Sequence, residues 1–312
     1  SYFYLICKRS VEKSFNYFKA NPAGNITGFV VWPVYPGYRK AYADCIRSQI
    51  DSDVEQVGFI SPAYEGAPLR LDMMGGEFCA NASRAYGLYS ASFYDVEGPV
   101  DIEVYVSGKK GTTDVIADVT NSTAYVAMDN PINISDIEID GKTYKIFEFS
   151  GISHLVIEEK EDKEFVEKAL KALKEKIQTD AYGVIFFNKE EKSYVPYVNV
   201  IKSQTLVRES SCGSGVIALA NYLNEEIPGE DYQLTLKGPA GDLTVTVDTF
   251  DGEKKYLVGG HVEMEKPRKI TIDIPADVVK AVTEEHNKQV EEEKLREAKE
   301  KVAQEEKSKE EE

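Results

Sequence analysis

The chain has 312 residues, 42% of them apolar, enough for one large domain or two ordinary ones with cores of their own. Its 54 acidic and 37 basic side chains leave a net charge of −17, which excludes a protein that binds by neutralising nucleic-acid phosphates or anionic lipid. Four cysteines and three histidines, with no Cys-x-x-Cys pair, exclude a disulfide framework and a histidine-rich metal centre.

In chain order, Ser1 to Arg9 lacks the charge, apolar core and small-residue site of a signal peptide. The most hydrophobic stretch, Gly28 to Tyr38, is broken by Pro33 and Pro36 and is too short for a membrane span. A soluble cytoplasmic protein is expected. Strand-like runs occupy 28–34, 55–60, 100–106 and 123–128, then 144–149, 183–187, 194–201, 232–237, 243–248 and 255–258, separated by turn residues. Glu161 to Ile177, with Phe165, Leu170, Leu173 and Ile177 at helical spacing, predicts an amphipathic surface helix. Residues 284 to 312 hold 12 acidic and 7 basic side chains, so the first 283 carry −12. Val290, Leu295 and Val302 are too sparse for a heptad seam, and this end reads as a solvated, partly helical tail.

Two further helices each begin immediately after a cysteine. After Cys79, the residues Ala85, Leu88, Tyr89, Ser92 and Phe93 fall at i, i+3, i+4, i+7 and i+8; after Cys212, Val216, Leu219, Ala220 and Leu223 repeat the first four offsets. Each cysteine follows a strand-like segment, Leu69 to Met73 or Thr205 to Val207, and a short turn. The chain therefore reads as two similar α+β halves, each presenting a cysteine at a helix start. Arg84 reads as a side chain snorkelling from the first of these helices.

The residues after each cysteine, Ala80-Asn81-Ala82 and Gly213-Ser214-Gly215, are small and leave the N–H groups of the first turn accessible to an anion. The positive helix end also favours thiolate and is expected to lower the thiol pKa. Two such sites facing each other define a reaction. One thiolate removes the α-proton of an amino acid, and the opposite thiol returns a proton to the other face. The helix starts hold the carboxylate and the charge that spreads onto it. A free cysteine alone usually fills a gap in a buried helix start; the repetition argues against that role here. Cys7 and Cys45 lack this context and read as fillers.

Around these positions the chain resembles the cofactor-independent diaminopimelate-epimerase-like racemases over residues 15 to 265. The matching segments are Lys19 to Asn25, Glu55-Gln56-Val57-Gly58-Phe59, Gly76 to Ala82, Glu209 to Gly215 and Gly238 to Asp242. Within that family the likeness is strongest to histidine racemases of the opine-metallophore type. The resemblance implies two pseudo-symmetric domains, each a mixed β-sheet wrapped around a central helix, with the active site in the cleft between them. The expected division is 1–130, 131–267 and a charged extension, 268–312. It implies Cys79 and Cys212 as the acid/base pair, substrate contacts from Asn25, Gln56, Ala80 and Asn81, and a second carboxylate-binding turn at Gly213 and Ser214. No cofactor and no metal are expected. The partner is a small amino acid, and a homodimer is the candidate assembly.

Departures from diaminopimelate epimerases concern the far end of the substrate. Those enzymes carry a longer Glu-Arg-Gly-Ala-Gly-type segment before the second cysteine and Gly-Asn-Pro-His where this chain has Gly151-Ile152-Ser153-His154. A different side chain is therefore expected, with histidine the best single choice and Glu55 and Glu209 as an acidic wall for its imidazole. Glu55 as a solvated strand residue and Glu209 as a helix-start carboxylate are the simpler readings. His154 reads as a structural histidine. Diaminopimelate epimerase, proline racemase and a catalytically silent amino-acid-binding module are the alternatives.

Overall fold

The computed structural model describes residues 10–61, 70–224 and 226–310, the side chains of 305–310 excepted. Ser1 to Arg9, with Cys7 and the question of a leader, and Leu69 lie outside the described residues.

Strand β1 (Ser10–Pro22) turns into its antiparallel neighbour β2 (Thr27–Val31). A helical crossover, α1 (Arg39–Cys45) continued by one π turn (Ile46–Ile50), delivers β3 (Gln56–Ser61) parallel to β2. β4 (Arg70–Met73) runs antiparallel to β3, and the crossover α2 (Ala80–Ala91) leads to β5 (Pro99–Val106), parallel to β4. β6 (Thr112–Asp118) and β7 (Thr123–Met128) complete an antiparallel meander.

The second part opens on the hairpin β8 (Asn133–Ile139) and β9 (Lys142–Phe149). β9 is antiparallel to β10 (Ile152–Ile157), and α3 (Lys163–Lys176) crosses to β11 (Ala181–Asn188), parallel to β10. β12 (Ser193–Val200) is antiparallel to β11 and carries the short β13 (Thr205–Arg208). α4 (Gly213–Leu223) crosses to β14 (Gln233–Lys237), parallel to β12, and β15 (Asp242–Phe250) follows antiparallel. The same succession of antiparallel, parallel, antiparallel, parallel and antiparallel pairings thus occurs along β1–β6 and along β9, β10, β11, β12, β14 and β15. The architecture is α+β and rich in mixed sheet, as the alternating runs predict.

β16 (Glu253–Met264) joins the two parts. It pairs with β15 and with β7, and its end pairs with β1, so that β1 to β7 and β16 form a closed ring. In the second part β9 pairs instead with β8. Helix α2 packs on β1, β5, β6, β7 and β16, and Ala80 to Tyr89 are buried without interruption. A helix enclosed on every side has no solvent stripe to reveal its period. The expected spacing runs past the helix, which ends at Ala91, and its last member, Phe93, is exposed. In α4, Gly213 to Ala220 are buried likewise. Residues of both parts, among them Phe18, Leu88, Ile217 and Val245, share one core cluster. α3 is the ordinary surface helix expected, capped by Asp162, whose carboxylate accepts from Glu164 N at 2.9 Å and Phe165 N at 3.3 Å.

The extension does not begin at residue 268. Arg268–Pro275 form strand β17, antiparallel to β1 from Tyr17↔Arg268 to Ser10↔Pro275, and Ile270, Ile272 and Ile274 join Phe15, Tyr42 and Ile46 in a second core cluster. Truncation after about residue 270 would remove most of this strand. Beyond it, α5 (Ala276–Glu310) is one continuous helix. Its start is anchored by Val278 and Val279 on the second cluster and by a 2.9 Å hydrogen bond between Tyr35 Oη and His286 Nδ1. Its later turns are exposed and carry same-face pairs such as Lys288–Glu292 and Arg296–Glu300, both 3.9 Å. Among the described residues, no helix is long and apolar enough to cross a membrane.

Candidate active site

Cys79 and Cys212 occupy the same structural position, the N-cap residue of a crossover helix, with φ/ψ of −129/113° and −139/113°. The two helices meet at their starts. A methyl group on Gly213 would lie 2.4 Å from Ala80 Cβ, so the absence of a side chain there is what lets the N-termini of α2 and α4 abut. Small residues after each cysteine therefore permit contact between the helices as well as access to their N–H groups. Both cysteines line one cavity of about 20 Å³, room for about one water molecule.

The expected contact residues gather here. Asn25, Gln56, Ala80, Asn81, Gly213, Ser214 and Glu209 all line the cavity. Gln56 Nε2 donates to Cys79 Sγ at 3.0 Å and to Asn25 Oδ1 at 2.8 Å, while Ala82 N donates to the same sulfur at 3.4 Å. Asn81 Nδ2 reaches across to Ser211 Oγ at 3.1 Å and Ser211 O at 3.3 Å, and to Asn25 Oδ1 at 3.3 Å. Glu55 departs from expectation, for it does not line the cavity. Its carboxylate accepts from Asn25 Nδ2 at 2.6 Å and from Ser210 N at 3.1 and 3.2 Å, and Ser210 Oγ donates to it as well. It ties the turn before Cys212 to the first part of the chain instead of forming a pocket wall.

Cys212 has different neighbours. Its backbone N donates to Tyr194 Oη at 3.0 Å, and its Sγ lies 3.6 Å from Ser214 Oγ, which is 2.7 Å from His154 Nε2. His154 is fully buried and, with burial holding its pKa down to about 3, is neutral. Among the described residues its Nδ1 has no partner, and it faces Gly183. An unpaired ring lone pair costs less than an unpaired N–H, so the proton belongs on Nε2, donating to Ser214 and freeing the serine hydroxyl to donate toward Cys212.

The expected lowering of the thiol pKa is not found. Burial pushes Cys79 up to about 12 and Cys212 well above the ordinary thiol range, and Glu209 adds to both. In this closed cleft, loss of solvation outweighs the helix ends, and both sulfurs are thiols. Glu209, 9% exposed, is itself raised well above the usual carboxyl range by burial and then by Glu55 and Glu77.

Three residues escape the sequence reading. Glu77, 3% exposed, lines the cavity two positions before Cys79. Ile152, marked in the sequence only as a departure, forms part of the cavity wall. Arg84 does not snorkel: it is 0% exposed beneath α2, donating from Nε to Asn81 Oδ1 at 3.1 Å and from Nη1 to Gly260 O at 3.1 Å and Ala124 O at 3.3 Å. Burial lowers its pKa to about 10, still well above neutrality, so it remains a guanidinium. It orients the Asn81 amide so that the NH2 faces the cleft.

Solved structures share the fold. A hydroxyproline epimerase from Agrobacterium vitis with bound trans-4-hydroxy-L-proline superposes with a TM-score of 0.60 at 11% identity, covering 85% of this chain and 93% of its own. A phenazine biosynthesis protein of the PhzF family from Bacillus anthracis gives 0.54 at 14%, covering 83% and 99%. The fold is thus that of racemase- and PhzF-like isomerases. The family described as "Histidine racemase CntK N-terminal domain" matches residues 14–266, and the chain belongs to that family. A histidine racemase of Fusobacterium nucleatum subsp. nucleatum is 32% identical over 220 residues, 67% of this chain and 81% of its own, and one of Staphylococcus aureus is 24% identical over 240 residues, 73% and 86%. The protein is an isomerase of the amino-acid racemase class.

Proposed function

We propose that the protein racemises histidine without a cofactor, with Cys79 and Cys212 as its two acid/base groups. The observation that carries this reading is that both cysteines cap helices whose first residues touch, and that both line one cavity. The carboxylate of the amino acid docks on the N–H groups of the first turns, at Ala80 and Asn81 and at Gly213 and Ser214. One cysteine, as thiolate, takes the α-proton. The other, as thiol, delivers its proton to the opposite face, and the negative charge ends on the second sulfur, ready for the reverse direction. Between the two transfers the helix N–H donors hold the charge that spreads over the carboxylate.

A cavity the size of one water cannot admit an amino acid, so the cleft opens for binding. The bonds that must part are those of Glu55 with Ser210 and of Asn81 with Ser211. The repeated order of strand pairings supports two pseudo-symmetric halves as the moving bodies, divided not at 130 and 267 but with β16 kept in the ring of β1 to β7 around α2, and β9 to β15 around α4 as the other half. Buried thiols are protonated until the substrate ammonium enters beside Glu209 and favours one thiolate. Ile152, apolar where diaminopimelate epimerases carry asparagine, supports a substrate without a distal amino-acid group. Incubating the protein with L-histidine in D2O under reducing conditions, and following deuterium at Cα together with chirality, tests the reading. Retention of the α-proton with every amino acid offered would refute it.

A further inference from the structure

The cavity is lined by two buried carboxyl groups, Glu77 and Glu209, and among the described residues by no lysine, arginine or histidine. The proposed substrate brings one carboxylate, which goes to the helix N–H groups, and one ammonium, which needs only one carboxyl partner. The second carboxyl group has no role in racemising a neutral amino acid. Burying a carboxyl group is costly, and the Gly75 N–H that donates to Glu77 Oε2 leaves it further acceptor capacity for a donor from the substrate.

The two acids are not equivalent in place. Glu209 is the carboxyl group that acts most strongly on both cysteine sulfurs, and its own carboxyl is held in part by the Cys212 side chain. It belongs to the α-carbon end. Glu77 acts on Cys79 less than Glu209 does, and Asp180, which lies outside the cavity, acts on Glu77. Its Oε2 accepts from Gly75 N at 3.0 Å, and a methyl group on Gly75 would touch both this oxygen, at 2.8 Å, and Val200 Cγ1, at 2.2 Å. The Glu77 carboxyl is therefore fixed beside the Val200 wall of the cavity.

We infer that Glu77 is the specificity-determining residue that accepts a hydrogen bond from the substrate side chain, selecting amino acids whose side chain ends in a cationic or N–H-donating group such as imidazole. The inference rests on the racemase reading and adds which residue reads the side chain. Burial raising Glu77 to about 7 fits the role, since imidazole and carboxyl then hold protons with similar strength and share one between them. Glu209 then serves the ammonium, and the Glu55 contact with Ser210 stays free to open and close.

The test compares L-histidine with L-thienylalanine, its uncharged isostere, as substrates or competing inhibitors of wild type and Glu77→Gln. In the wild type, histidine is preferred. In Glu77→Gln the ratio of kcat/KM for histidine to that for thienylalanine, or of the matching inhibition constants, falls at least tenfold, through KM. A ratio that stays within threefold of wild type overturns the inference, however much total activity drops. Should Glu77→Gln not fold, Glu77→Asp decides: its withdrawn carboxylate lowers the ratio, and an unchanged ratio again overturns the assignment. Failure of the wild type to exchange any α-proton would instead remove the racemase reading itself.

Discussion

The two helix starts are alike in backbone and unlike in company. Cys79 and Cys212 have nearly the same dihedral angles and are each followed by short side chains, although Cys79 is half-buried and Cys212 buried. Cys79, however, is held by an amide, Gln56, and by Ala82 N, whereas Cys212 sits at the end of a line running from His154 through Ser214. A two-base racemisation asks for this combination. The sulfurs must be placed symmetrically about the α-carbon, yet hold opposite protonation states at any moment. Matching backbones provide the symmetry, and different hydrogen-bond partners let each thiol be adjusted without disturbing the other.

The largest expected effect comes from breaking either side. Cys79→Ser or Cys212→Ser should lower racemisation by about 10²–10⁴-fold, because a hydroxyl is a far weaker base near neutrality; polarimetry measures this, and a loss confined to one variant would show that the halves are not equal partners. Gly213→Ala should push the helix starts apart, costing about 1–3 kcal/mol of stability together with tenfold or more in kcat. Adding Ala80→Gly should restore both, since it removes the clashing methyl group; a double variant no better than the single one would mean that the abutment is unimportant.

Gln56→Leu and Ser214→Ala sharpen the contrast between the sulfurs. Each removes a donor to one thiolate, worth about 1.5–3 kcal/mol, and should raise the pH at which that cysteine alone is alkylated by iodoacetamide, as read by mass spectrometry of the labelled peptides. A shift of both cysteines in either variant would show that the sites titrate as a unit. The smallest effect is on thermal stability. The Glu77 carboxyl, raised to about 7 from an unfolded value of about 4.3, contributes stability in full below the lower pH, and this is lost as pH rises through the higher. Glu77→Gln should therefore melt relatively higher than wild type at pH 8 than at pH 5, a difference that calorimetry can read.

The cysteine pair was legible because cysteine, small residues and an apolar run occurred twice at the same offsets. The other half of the site was less so. Glu77 stands in Met73-Met74-Gly75-Gly76-Glu77-Phe78, an apolar context unusual for a solvated carboxylate, but single-residue burial has no period to detect. Arg84 was misread because a helix buried on all sides looks, by spacing alone, like one with a wet face. Glu55 was placed in the pocket wall when its carboxylate turns toward Ser210, a contact across 155 positions that local pattern does not encode. In the fold, β17 shows plain alternation at Ile270, Ile272 and Ile274, yet its charged surroundings merge it with the tail. β1, with Phe15, Tyr17 and Phe18 buried among charged neighbours, was likewise outside the expected strands.

The closing of the first ring by β16, and of β1 by β17, has a consequence for how the chain comes to be folded. β1 is made well before the strands that seal it, for its partners in β16 and β17 lie 240 or more residues downstream. On a ribosome, the strands around α2 must wait with one seam open until β16 has emerged. Contacts of such long sequence separation are slow to form, and an open seam is an unpaired strand edge available to other chains. Synthesis rate and chaperone access, more than equilibrium stability, are then expected to set how much active protein a cell recovers.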